Sequence, residues 1–84
     1  MYCVYVLYSP KHDRIYIGET SNLIERFKSH NHLGKKGSTL RYRPWIVAYV
    51  DFFETHSEDL KREKSLKQGQ GRKWIKEKVL PEYL

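Results

Sequence analysis

A mixed α/β fold, three strands and three helices in the order β-β-α-β-α-α, is predicted by three features of the sequence. The chain opens on an apolar hairpin pattern, "CVYVLYSPKHDRIYIGET", residues 3–20. Two stretches with helix-capping signatures follow, "TSNLIERFKSHNHLG" and "THSEDLKREKSLKQ". Between them lies "WIVAYVDFF", residues 45–53, a near-continuous run of β-branched and aromatic side chains as expected for a strand. Eighty-four residues suit a single small domain over 1–84 with a modest core.

The hairpin can be read in register. With Ser9-Pro10-Lys11-His12 as a four-residue loop, Tyr8 pairs with Asp13 and Tyr5 stands directly opposite Tyr16. Alternation then places Val4, Val6, Ile15 and Ile17 on one apolar face with Tyr2 and Tyr8. Cys3, Tyr5, Leu7, Arg14, Tyr16 and Gly18 share the other face, which reads as half polar. In the first helix Asn22 is the expected N-cap, Glu25 completes a capping box and Gly34 closes the C-terminus. At about 100° per residue, Leu23, Ile24 and Phe27 form the inward stripe, and Arg26 and His30 border it together.

Residues 34–44, "GKKGSTLRYRP", carry Lys35, Lys36, Arg41 and Arg43 with no acidic residue, and read as a basic loop suited to a phosphate backbone. The 45–53 run is expected to be covered on both faces or to lie centrally in a small sheet. Thr55-His56-Ser57-Glu58 is a capping box that starts the second helix, which runs to about Gln68 before Gly69 and Gly71 break it. Its only leucines, Leu60 and Leu66, flank Glu63, so a carboxylate occupies an apolar wedge. A last helix, "RKWIKEKVL", offers Trp74, Ile75, Val79 and Leu80 for docking and stops at Pro81.

Composition bounds the function. Hydrophobic residues make up 39% of the chain, enough for a folded globule despite 31% charged residues. No apolar run approaches the roughly 20 residues of a membrane span, and the N-terminus enters a strand pattern at once, so a soluble, unexported chain is expected. Cys3 is the single cysteine, which excludes a disulfide within the chain and suggests a reducing, cytoplasmic setting. The net charge of +6 favours polyanionic partners, nucleic acid first. His30 and His32 point to opposite helix faces and make no zinc-site spacing with Cys3, while His12 and His56 are expected to be solvated.

Each anomaly has an ordinary reading: paired tyrosines pack, Arg26 and His30 lie at a surface, and Glu63 pairs with Lys67. Together they form an inventory for phosphodiester hydrolysis. Arginine neutralises phosphate charge, a carboxylate anchors a divalent cation, and a phenol or imidazole handles protons. The residues in this spacing resemble the GIY-YIG nuclease family, which includes the nuclease domain of UvrC-type enzymes and small stand-alone proteins. Tyr16-Ile17-Gly18 is the intact second triplet, and Cys3-Val4-Tyr5 is a relaxed form of the first. Thr20, Leu23, Arg26 and His30 match the pattern downstream, "LKREKSLK" matches the later helix motif with Glu63 and Lys67, and Glu19 stands where some members place a basic residue.

The resemblance implies an α/β (α+β) sandwich around a three-stranded antiparallel sheet flanked by helices. It also implies a metal-dependent endonuclease acting on DNA, in repair or recombination. Tyr5 or Tyr16 would deprotonate or orient the attacking water, Arg26 and His30 would hold the scissile phosphate, and Glu63 would bind Mg²⁺ or Mn²⁺. Lys35, Lys36, Arg41, Arg43 and Lys67 are the expected DNA-backbone contacts. Substrate choice would come from DNA shape, a partner protein or a homodimer, since no recognition module is attached. The alternative is a non-catalytic nucleic-acid binder whose sheet-face tyrosines stack bases. An adaptor role has only the Trp74 and Ile75 stripe to support it.

Overall fold

The computed structural model describes residues 1–28 and 41–83. The expected elements are present in the expected order: β1 (Tyr2–Ser9), β2 (Arg14–Thr20), α1 (Leu23–Lys28), β3 (Ile46–Phe53), α2 (His56–Lys67) and α3 (Gly69–Trp74). One π-helical turn, Ile75–Val79, and a 3-10 turn, Leu80–Tyr83, continue from α3. The sheet is antiparallel throughout and ordered β2-β1-β3. No helix among the described residues is long and apolar enough to cross a membrane.

β1 is the central strand, and Val4, Tyr5, Val6 and Leu7 are completely buried. The apolar run of β3 lies instead at an edge, where Phe52 is 60% exposed. Its hydrophobicity reflects two covered faces: Ile46, Ala48, Tyr49 and Phe53 pack toward one core, Val47 and Val50 toward the other. A bulge makes this division possible. Val6 pairs with Tyr49 but Leu7 pairs with Val47, so Ala48 is the extra residue. The Tyr83 hydroxyl donates to the Ala48 carbonyl at 3.1 Å and ties the C-terminal turn to that point.

The larger core lies between the sheet and α2, α3 and the C-terminal turns. Val4, Val6, Tyr8 and Ile17 meet Leu66, Ile75, Val79 and Leu80 there. α2 starts as read from its capping box: the Glu58 amide donates to Thr55 Oγ1 at 3.3 Å, and Thr55 Oγ1 donates to Glu58 Oε1 at 2.8 Å. Its inward residues are not the two leucines, because Leu60 is 42% exposed. Asp59 is buried in its place, seven residues before Leu66 and so within about 20° of it around the helix. Arg62 reaches β3, with Nε 3.7 Å from the Asp51 carboxylate and its guanidinium 5.3 Å from the centre of the Trp74 ring.

Gly69 and Gly71 do not end the helical region. The chain breaks only at Gln68 (φ −78°, ψ 165°), and α3 begins at the next residue. A Cβ on Gly71 would lie 2.5 Å from Leu66 Cα, so this glycine lets α3 pack directly onto the end of α2. Pro81 likewise sits inside a 3-10 turn, whose φ it accommodates. Leu66→Ala is expected to cost about 2–5 kcal/mol of unfolding free energy in a denaturant titration, since its side chain is 1% exposed and joins both halves of this core.

The hairpin is offset by two residues from the expected register. Ser9 pairs with Arg14, Leu7 with Tyr16, and Tyr5 with Gly18. The loop is therefore Pro10 to Asp13. Asp13 takes a left-handed backbone (φ 52°), which aspartate tolerates, while its carboxylate accepts the Tyr8 hydroxyl at 3.2 Å. A two-residue offset preserves face parity, so the expected faces survive. The second face is nevertheless not half polar: Cys3, Tyr5, Leu7 and Trp45 form a buried cluster there, capped by Leu23 and Phe27 of α1.

Candidate active site

Tyr5 and Tyr16 come together because of Gly18. In β1, Tyr5 faces Gly18 across the strand pair. A Cβ built on Gly18 would lie 2.5 Å from the Tyr5 hydroxyl oxygen, 2.7 Å from Tyr5 Cζ and 3.0 Å from Tyr16 Cε1. Only a residue without a side chain lets the Tyr5 ring cross at that point. The ring comes to rest beside Tyr16, with centroids 6.2 Å apart and planes inclined by 30°.

Arg26 joins this pair from α1. The chain leaves β2 through a local turn in which the Asn22 amide donates to Thr20 Oγ1 at 3.0 Å. Asn22 then caps the helix, its Oδ1 accepting from the Glu25 amide at 3.2 Å and its carbonyl from the Arg26 amide at 3.1 Å. Held in that first turn, the Arg26 guanidinium comes near the hydroxyls of Tyr5 and, more weakly, Tyr16. Ile24, expected in the inward stripe, is 68% exposed, and among the described residues of α1 Leu23 and Phe27 supply the packing.

The two phenols occupy different environments. Tyr5 is fully buried, and burial raises its pKa above the usual phenol range, with the Arg26 hydrogen bond opposing this only in part. Tyr16 is partly open to solvent. Contact with the phenol oxygens holds Arg26 in its cationic form.

Glu63 points inward from α2 with a side chain 22% exposed, and Lys67 Nζ stands 3.7 Å from its Oε2. Its charge also reaches Glu19, which follows Gly18 in the chain. Arg41 and Arg43 are exposed, with the Arg41 guanidinium 5.9 Å from the centre of the Tyr42 ring. His30, Lys35, Lys36 and the Gly34 helix stop lie outside the described residues.

The fold also assembles a second group, which no motif signals. His56, expected to be solvated, places Nδ1 3.0 Å from Asp59 Oδ1 and 3.5 Å from Glu19 Oε2. Asp59 is 0% exposed, and neither of its carboxylate oxygens has a hydrogen-bond partner. The His56 contact has ion-pair distance without hydrogen-bond alignment, and two ionised carboxylates cannot donate to each other. The neighbouring Asp59 carboxyl is the main reason the Glu19 carboxyl is raised above its ordinary pKa, followed by burial; His56 opposes the shift. The one signal of this group in the sequence is the helical phase of Asp59, which matches that of Leu66.

The paired triplets, the glycine between the rings and the arginine after them are the pattern of one family. Residues 1–77 match the model of the GIY-YIG catalytic domain. The chain belongs to the GIY-YIG family. Its two name-giving triplets lie on the neighbouring strands β1 and β2 and meet at one pair, the tyrosine of the first with the glycine of the second. The chain is also 40% identical over 72 residues to the structure-specific endonuclease subunit SLX1 of Podospora anserina. That match covers 79% of this chain and 21% of the relative, so this GIY-YIG chain spans about a fifth of the length of the curated relative it matches.

Proposed function

We propose that this GIY-YIG domain is a divalent-metal-dependent endonuclease that hydrolyses DNA phosphodiester bonds by recognising DNA structure rather than sequence, in repair or recombination. The observation that carries this reading is the Tyr5, Tyr16 and Arg26 cluster built across Gly18. Arg26 is a permanent cation beside the two hydroxyls, placed where it could hold a phosphate oxygen and neutralise its developing charge. Of the two phenols, Tyr16 is the one open to an attacking water. Burial makes the Tyr5 proton harder to lose, so Tyr5 serves to position Arg26, while solvent-facing Tyr16 orients and deprotonates the attacking water. His30 would complete the phosphate grip, as the family pattern implies.

Glu63 fits the metal role. It is a partly buried carboxylate whose ion pair with Lys67 is loose, 3.7 Å, leaving oxygen lone pairs free for a hard cation. Bound there, Mg²⁺ or Mn²⁺ would supply Lewis-acid stabilisation of the phosphate and leaving oxygens, one carboxylate sufficing because the ion retains waters and takes phosphate oxygens as further ligands. Exposed Arg41 and Arg43, Lys67, and the expected contacts Lys35 and Lys36 would grip the backbone without reading bases. Because the matched relative is named a subunit, a protein partner or a second copy of this chain is the proposed source of substrate choice.

The base-stacking alternative lacks its platform, since Tyr5 is 0% exposed and covered by the Trp45 and α1 cluster. Cleavage assays on nicked, flapped, branched and linear DNA in Mg²⁺ or Mn²⁺ test the proposal. Branched or flapped substrates are expected to be cut in preference to linear duplex, with activity abolished by a chelator and lowered by Glu63→Gln by about 10²-fold or more. Cleavage by Glu63→Gln at the wild-type rate would overturn the metal assignment.

A further inference from the structure

We propose that Glu19, His56 and Asp59 bind a divalent transition-metal ion of the zinc class, at a site separate from Glu63 and independent of the nuclease reading. These residues come from two elements, the end of β2 and the first turn of α2, and their ligating atoms all lie within 4.8 Å of one another. An ion with nitrogen and oxygen ligands at about 2.1 Å in tetrahedral geometry places those atoms about 3.4 Å apart. The His56 Nδ1 distances of 3.0 Å to Asp59 and 3.5 Å to Glu19 bracket that spacing, and rotation of Glu19, 23% exposed, closes the set.

The buried partner points to a ligand. Asp59 lies wholly inside with no hydrogen bond to either oxygen and only His56 Nδ1 at ion-pair distance from Oδ1, a costly state for a carboxylate unless a cation meets it. Its surroundings add negative charge: Glu19 is adjacent, Glu63 acts on Glu19, and both Asp59 and Glu19 raise the pKa of the buried Cys3 thiol, after burial itself. His56 is the one group of the set with a cationic form, and it is half exposed. An imidazole with two carboxylates suits Zn²⁺, and Mn²⁺ less tightly, whereas Mg²⁺ prefers oxygen and water alone. The fourth position would face solvent beside His56.

The full-length chain, stripped with a chelator, is the material for the test. Micromolar Zn²⁺ is expected to raise the unfolding temperature by about 5 °C or more and Mg²⁺ at the same concentration to leave it unchanged, with one Zn²⁺ retained per chain after gel filtration. His56→Ala, Asp59→Asn and Glu19→Gln should each weaken Zn²⁺ binding about tenfold or more in competition with a fluorescent chelator, while Glu63→Gln should bind as the wild type does. If Asp59→Asn fails to fold, the variants at Glu19 and His56, both partly exposed, decide the matter. The proposal is overturned if Zn²⁺ produces no shift, if His56→Ala binds as tightly as the wild type, or if Glu63→Gln abolishes binding. In the first case the group is only a proton-sharing carboxyl pair; in the second, Zn²⁺ sits on other histidines.

Discussion

Tyr16→Phe is expected to slow DNA cleavage by about 10²- to 10⁴-fold, the contribution of a positioned general base, with little change in unfolding temperature. The ring stays and only the hydroxyl is lost, and that hydroxyl belongs to a side chain partly open to solvent. Tyr5→Phe should act differently. Its hydroxyl is buried and lies beside Arg26, so its loss is expected to slacken the guanidinium and weaken substrate binding more than the chemical step. Single-turnover kinetics on a branched substrate separate the two. The pH dependence gives an independent check: Tyr5 is held above the free-phenol value of about 10, so with Tyr5 as base the rate would still be climbing at pH 10. Tyr16→Phe is expected to be the slower variant; a rate still climbing at pH 10, with a fast Tyr16→Phe and an inactive Tyr5→Phe, would reverse the roles.

Gly18→Ala is the second large effect. The added methyl would sit 2.5 Å from the Tyr5 hydroxyl oxygen, and the Tyr5 ring is fully buried in a cluster with Leu7 and Trp45 under α1. Overpacking of this kind costs about 1–3 kcal/mol. In a domain of this size each kcal/mol lowers the melting temperature by about 4–8 °C. Any relief requires Tyr5 to tilt, which carries its hydroxyl away from Arg26, so cleavage should fall along with stability. Gly69→Ala is the matched control. Nothing lies within 4 Å of a Cβ at that position, and the substitution is expected to be neutral or to stabilise by about 0.4–1 kcal/mol. If denaturation midpoints of the two variants coincide, the account of Gly18 as the space that seats Tyr5 is wrong.

Several features are legible in the amino-acid sequence because their causes are local. Asn22 and Thr55 cap helices through hydrogen bonds to amides three residues on, and both bonds are present. The alternation of Val4, Val6 and Ile17 against Tyr5 and Leu7 holds although the strand pairing is offset by two residues, because side-chain faces depend only on parity. The spacing of Tyr5, Tyr16, Gly18 and Arg26 likewise marks a constellation whose members do meet. The exact pairing depends on one backbone angle: Asp13 in the left-handed region, held by Tyr8, moves the loop by one residue and sets Tyr5 over Gly18.

The sequence by itself determined the element order, the two sheet faces, the helix starts and the family, since each rests on periodicity or on groups a few residues apart. Only the tertiary structure decided which strand is central, which phenol is buried and what surrounds Asp59. An apolar run reports that faces are covered, not which edges are paired, so β3 and β1 look alike as sequence. Whether a tyrosine holds its proton depends on Trp45 and α1 packing over it, contacts that lie far along the chain. Glu19, His56 and Asp59 are separated by 37 and 3 residues and share no motif; they meet because α2 lies across the sheet with Leu66 in the core, which turns Asp59 inward as well.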